Sequence, residues 1–196
     1  MSVLFAIAAF AAALAIVVLH PQPASAHCDT MDGPTAQDGI KALETGNLNH
    51  ALKWITAEGE TELSSVFERS LAARELGGAA REVADRWFLE NLVRIHRVGE
   101  GAGFTGLEPS GARIDEKVAG ADRSIAEGSL QPLAGLVPAD RLPELERRFA
   151  TVLERRDYDI EDVAAGRAYI EAYVNFFKFA EGEDHDHAHV HAGHQH

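Results

Sequence analysis

The chain has 196 residues, and its 18 Lys and Arg against 31 Asp and Glu give a formal net charge of −13 at pH 7. That acidity argues against nucleic acid and anionic membrane surfaces, which need basic patches, while the length suffices for one domain with a buried core. Cys28 is the single cysteine, so no disulfide can form within the chain.

Residues 3–19 form an apolar run without a charge, closed by Pro21 and Pro23. Ala24, Ser25 and Ala26 follow, a small-residue pattern of the kind signal peptidase cuts. The expected organisation is a signal peptide over 1–26, a helical domain over 27–180 and a disordered His-rich tail over 181–196. Cleavage after Ala26 exports the protein to the periplasm or the extracellular space, leaves no membrane attachment and makes His27 the first residue. Kept as an anchor, the same segment would deny His27 a free amine.

Beyond residue 26, Ala, Leu, Glu and Arg dominate between Gly and Pro breaks, and strand-type alternation is missing. This predicts an all-α, single-domain bundle of about six to seven helices. The first covers 34–45, with Pro34 suited to its first turn and Gly46 to its C-cap. A second starts near Asn47 and carries Leu48, Leu52 and Ile55. The third covers 61–76 with Leu63, Val66, Phe67 and Leu71 on one side, and Gly77 stops it. The fourth, over 79–98, sets Phe88, Leu89, Leu92, Val93 and Ile95 on one arc, with Asp85 and His96 inside it. Two ionisable groups on a core face need partners. About 16 Å of helix separates them, too much to share one metal ion. The four glycines within 99–106 predict unusual backbone angles or a close approach by another group. Helices over 114–127 and 142–156 follow. The last runs over 159–180 with Ile160, Val163, Ile170, Tyr173, Val174, Phe176 and Phe177. Arg167 lies in its apolar arc and is the natural counter-ion for Asp85 or another buried acid.

The chemistry concentrates at His-Cys-Asp-Thr-Met-Asp-Gly-Pro over 27–34. Once trimmed, the chain offers an α-amine, an imidazole and a thiolate within a few bonds, a donor set suited to nickel, copper or zinc. Asp32 adds a carboxylate. His96 and Glu100 stand four apart and face one way if the helix persists through Gly99, so that His96 could supply a second imidazole. The bland alternative is a buried histidine bonded to a carboxylate. In the tail, His185, His187, His189, His191, His194 and His196 make a flexible collector that loses metal below about pH 6. Neither a Gly-x-Ser-x-Gly elbow nor a His-Glu-x-x-His motif is present.

His27, Cys28, Asp29 and Gly33 resemble the mature start of the nickel superoxide dismutases. Those helical proteins bind nickel through the first amine and imidazole, the second residue's amide and thiolate, and a second thiolate at position six, which here is Asp32. The segments over 27–34 and 94–102 also resemble an uncharacterised family of exported bacterial proteins, in which they read His-Cys-Asp-Thr-x-Asp-Gly-Pro and Arg-x-His-Arg-x-Gly-Glu-Gly-Ala. That resemblance spans most of 27–180; it implies export and a shared fold, and no activity. The expectation is an exported transition-metal-binding protein for capture, buffering or delivery. The alternative is a nickel superoxide dismutase-like or other metal-dependent redox enzyme at the same hook. Metal ions are the expected partners, and a homo-oligomer is compatible with the chain.

Overall fold

The computed structural model describes residues 27–182, where seven α-helices and three short 3-10 turns occur with no β-strand. The leader over 1–26 and the tail histidines His185, His187, His189, His191, His194 and His196 lie outside the described residues. No helix among those described is long and apolar enough to cross a membrane.

Helix α1 spans Pro34–Thr45, starting on its proline and ending where Gly46 adopts φ 70. Helix α2, Asn49–Leu52, is a single turn rather than the longer helix expected. Beyond it the chain turns, burying Trp54 and Ile55. Helices α3, Glu60–Arg74, and α4, Gly78–Gly99, are joined so briefly that they must fold back as a hairpin. Their apolar arcs meet at Phe67 and Phe88, whose ring centroids lie 5.4 Å apart. Gly39 lets α1 settle on α4, because a Cβ there would come within 2.6 Å of Leu89 Cδ2 and 2.8 Å of Leu92 Cδ2.

Helix α5 covers Glu116–Glu127, α6 Leu142–Arg155 and α7 Val163–Glu181. Helix α7 packs against both α5 and α6. Phe149 of α6 meets Phe176 of α7 at 5.4 Å between centroids. Phe88, Phe176, Leu63, Leu92 and Leu145 have no exposed surface, each stabilising the fold by about 1.5–3 kcal/mol relative to an exposed side chain.

Two further expectations are corrected. Helix α7 begins at Val163 rather than 159, because Asp159 Oδ1 accepts from Glu161 N at 3.0 Å and Asp162 Oδ1 caps Ala165 N at 2.9 Å. Side-chain turns of this kind compete with the first turn of a helix. Asp85 and Arg167 do not pair: Asp85 Oδ1 meets Arg74 Nη1 at 2.9 Å. Arg167 instead bonds Glu60 Oε1 at 2.6 Å and the Ile55 carbonyl at 2.8 Å, since α7 crosses the connection between α2 and α3.

Candidate metal centre

The N-terminal stretch over 27–33 is fastened before the first helix begins. Thr30 Oγ1 donates to the His27 carbonyl at 3.2 Å, and Gly33 N donates to the Thr30 carbonyl at 3.0 Å. Gly33 is required there: a Cβ would lie 2.1 Å from the His27 carbonyl oxygen. The glycine-rich segment after α4, with Gly101 at φ 69 and Gly106 at φ 120, returns the chain to this stretch. An isolated parallel bridge then pairs Thr30 with Glu108. Met31 N donates to the Glu108 carbonyl at 2.9 Å, and Glu108 N donates to the Asp29 carbonyl at 2.8 Å.

This fastening buries His27, Cys28 and Asp29 between α4 and α5. His27 Nε2 lies 2.7 Å from Asp122 Oδ2 of α5, off the line required for a hydrogen bond. Asp122 Oδ1 accepts from the Tyr173 hydroxyl of α7 at 2.7 Å. Burial and Asp122 hold the Tyr173 phenol well above its ordinary range, so it stays a donor.

The Cys28 thiol is 2% exposed and pushed up to about 12, first by burial and then by the charges of Glu100, Asp29 and Asp122. The Thr35 hydroxyl eases this slightly without reaching hydrogen-bond geometry. Burial also pushes Asp29 up to about 6 against the opposing pull of Arg97, whose Nε lies 3.6 Å from Asp29 Oδ2.

From Arg97 the polar chain continues along α4. Arg97 Nη1 donates to Glu100 Oε2 at 3.1 Å, and His96 Nε2 lies 3.9 Å from the same oxygen. The helix does persist through Gly99, so His96 and Glu100 face one way as expected. His96 Nδ1 is 2.6 Å from the Trp54 carbonyl, and burial lowers its pKa. The bond that anchors His96 thus goes to a carbonyl, leaving Nε2 without a hydrogen-bond partner among the described residues.

The buried polar contacts thus run from Asp122 to His27, and from Asp29 through Arg97 to Glu100 and His96, with Cys28 between His27 and Asp29 in the chain. Asp32 stands apart: its side chain is exposed and accepts from Gly111 N at 2.8 Å, which with the Thr30 hydroxyl lowers its pKa. Among the described residues no group of three or more His, Cys, Asp and Glu is arranged to hold a metal ion. The donors are neighbours, not a formed cage. Asp122 and Tyr173 escaped sequence reasoning, because residues 51 apart meet only when α5 and α7 pack. Within α5, an acid between Ala121 and Arg123 carries no signal that separates it from a solvated face.

The fold and site define an all-α protein whose N-terminal stretch is embedded in a buried polar seam. The chain belongs to DUF6448, a family of unknown function, whose model matches residues 32–179. The matched stretch starts just after His27 and Cys28 and takes in His96, Glu100, Asp122 and Tyr173. No curated protein and no solved structure matches the chain.

Proposed function

We propose that this is an exported transition-metal-binding protein that captures, buffers or delivers nickel, copper or zinc through its His27-Cys28 start. The observation that carries the reading is a concentration of unpartnered donors. Both His27 ring nitrogens, His96 Nε2 and Asp29 Oδ1 are buried without a hydrogen bond among the described residues. Each such atom costs about 1–3 kcal/mol, and a bound cation removes that cost for the atoms it coordinates.

Charge supports the same reading. Glu100, Asp29 and Asp122 all act on the Cys28 thiol in the direction that disfavours a thiolate, so a cation placed among them is attracted by every neighbour. Ionising a thiol held at about 12 costs on the order of 7 kcal/mol at pH 7. Structural zinc sites supply about 10–16 kcal/mol, enough to offset that cost. Removal of 1–26 adds the α-amine of His27 to the imidazole and thiol of the same two residues. In addition to this site, the tail histidines act as a low-affinity collector.

The test is metal binding by the secreted, trimmed chain, followed by native mass spectrometry. Wild type should hold one ion far more tightly than the tail does. His27→Ala and Cys28→Ser should each weaken that ion at least tenfold while circular dichroism shows the helices intact. Equal affinity in wild type and His27→Ala would overturn the reading.

A further inference from the structure

We propose that Asp122, braced by Tyr173, is the positioning residue that turns the His27 ring so that Nδ1 faces the metal. This rests on the metal-binding reading above, but it assigns a role to residues that the N-terminal pattern does not contain.

The geometry carries it. Asp122 sits on α5 with its two carboxylate oxygens divided between neighbours. Oδ1 accepts from the Tyr173 hydroxyl at 2.7 Å, and Oδ2 stands 2.7 Å from His27 Nε2. Tyr173 is 5% exposed and packed edge-on to Trp54, with centroids 6.1 Å apart, so it cannot swing away. The carboxylate is thus pinned from behind and takes up the Nε2 side of the ring. Neither ring nitrogen makes a hydrogen bond among the described residues, but Nε2 has a carboxylate oxygen against it, which leaves Nδ1 as the nitrogen turned toward an ion.

Chelate geometry selects the same nitrogen. A metal held by the α-amine and Nδ1 of one histidine closes a six-membered ring through Cα, Cβ and Cγ. Nε2 lies on the far side of the imidazole and cannot close such a ring. Metal-bound histidines commonly give their other ring N–H to a carboxylate, which fixes the tautomer and strengthens the ligand nitrogen. Asp122 is placed for that part. Its side chain is 36% exposed, which puts it at the rim where the seam meets solvent and an ion would arrive.

The test uses the secreted, trimmed full chain labelled with ¹⁵N in its histidines. At pH 8, without metal, His27 should carry its proton on Nε2, and Asp122→Asn should abolish that preference. Nickel(II) is then titrated while the thiolate-to-metal absorption band is followed; Cys28 is the only cysteine, so tail histidines cannot produce the band. Asp122→Asn should weaken nickel binding 10- to 100-fold with little change in thermal midpoint. Asp122→Glu should recover part of the loss, and Tyr173→Phe should show a smaller one.

If Asp122→Asn leaves tautomer and affinity unchanged while His27→Ala still removes the band, the positioning role is overturned and the metal site stands. If wild type gives no band, the metal reading falls, and the role assigned to Asp122 falls with it. Should Asp122→Asn fail to fold, the Tyr173→Phe tautomer decides: one identical to wild type counts against the brace.

Discussion

Asp29 shows how a single buried side chain works against the fold that holds it. Burial raises its folded-state pKa to about 6, above the ordinary 3.8. The folded protein therefore binds this proton more readily than the unfolded chain does. The stabilising contribution is full below about pH 3.8 and is lost as pH rises through 6, amounting at neutrality to a cost on the order of 3 kcal/mol. Arg97 opposes the shift, and Glu100 and Glu108 add to it. Asp29→Asn should remove this loss, flattening the fall in unfolding free energy between pH 4 and 6 measured by urea denaturation. An unchanged slope would show that Asp29 ionises freely.

Among the elements, α1, α2 and the chain before α7 are tied by one buried ion pair. Lys53 Nζ lies 2.9 Å from Asp38 Oδ2 of α1 and donates to the Tyr158 hydroxyl at 2.8 Å, while Trp54 Nε1 donates to Asp38 Oδ2 at 2.8 Å. Asp38→Ala strands Lys53, which is 9% exposed, and should destabilise the protein by about 3–5 kcal/mol, read as a drop in thermal midpoint. A change below about 1 kcal/mol would mean that Lys53 reaches solvent. The helices themselves were legible in the sequence, because a 3.6-residue apolar period met glycine and proline stops, as at Pro34, Gly46 and Gly128. The errors came where short-range side-chain bonds outcompeted helix, at Asp159 and Asp162, and where pairing was long-range, as between Arg167 and Glu60. The candidate site divides along the same line. His27, Cys28, His96 and Glu100 announce themselves by residue type and spacing, whereas Asp122 and Tyr173 become visible only when α5 and α7 are in contact.

Across the whole molecule, the fold serves to embed its own N-terminal stretch. Gly33, the Thr30–Glu108 bridge and the glycine-rich return from α4 have one shared consequence, the burial of His27 and Cys28 against α4 and α5. The formal net charge of −13 favours cations over anions near the surface in general. We propose that trimming completes a thiolate-containing metal site at His27 and Cys28. The most direct measurement is the absorption spectrum of the His27-start protein with one equivalent of nickel(II) or copper(II), beside the untrimmed protein that begins at Met1. A thiolate-to-metal charge-transfer band is expected in the trimmed protein, lost in Cys28→Ser and much weaker in the untrimmed chain. No band, or equal bands with and without the leader, would contradict it.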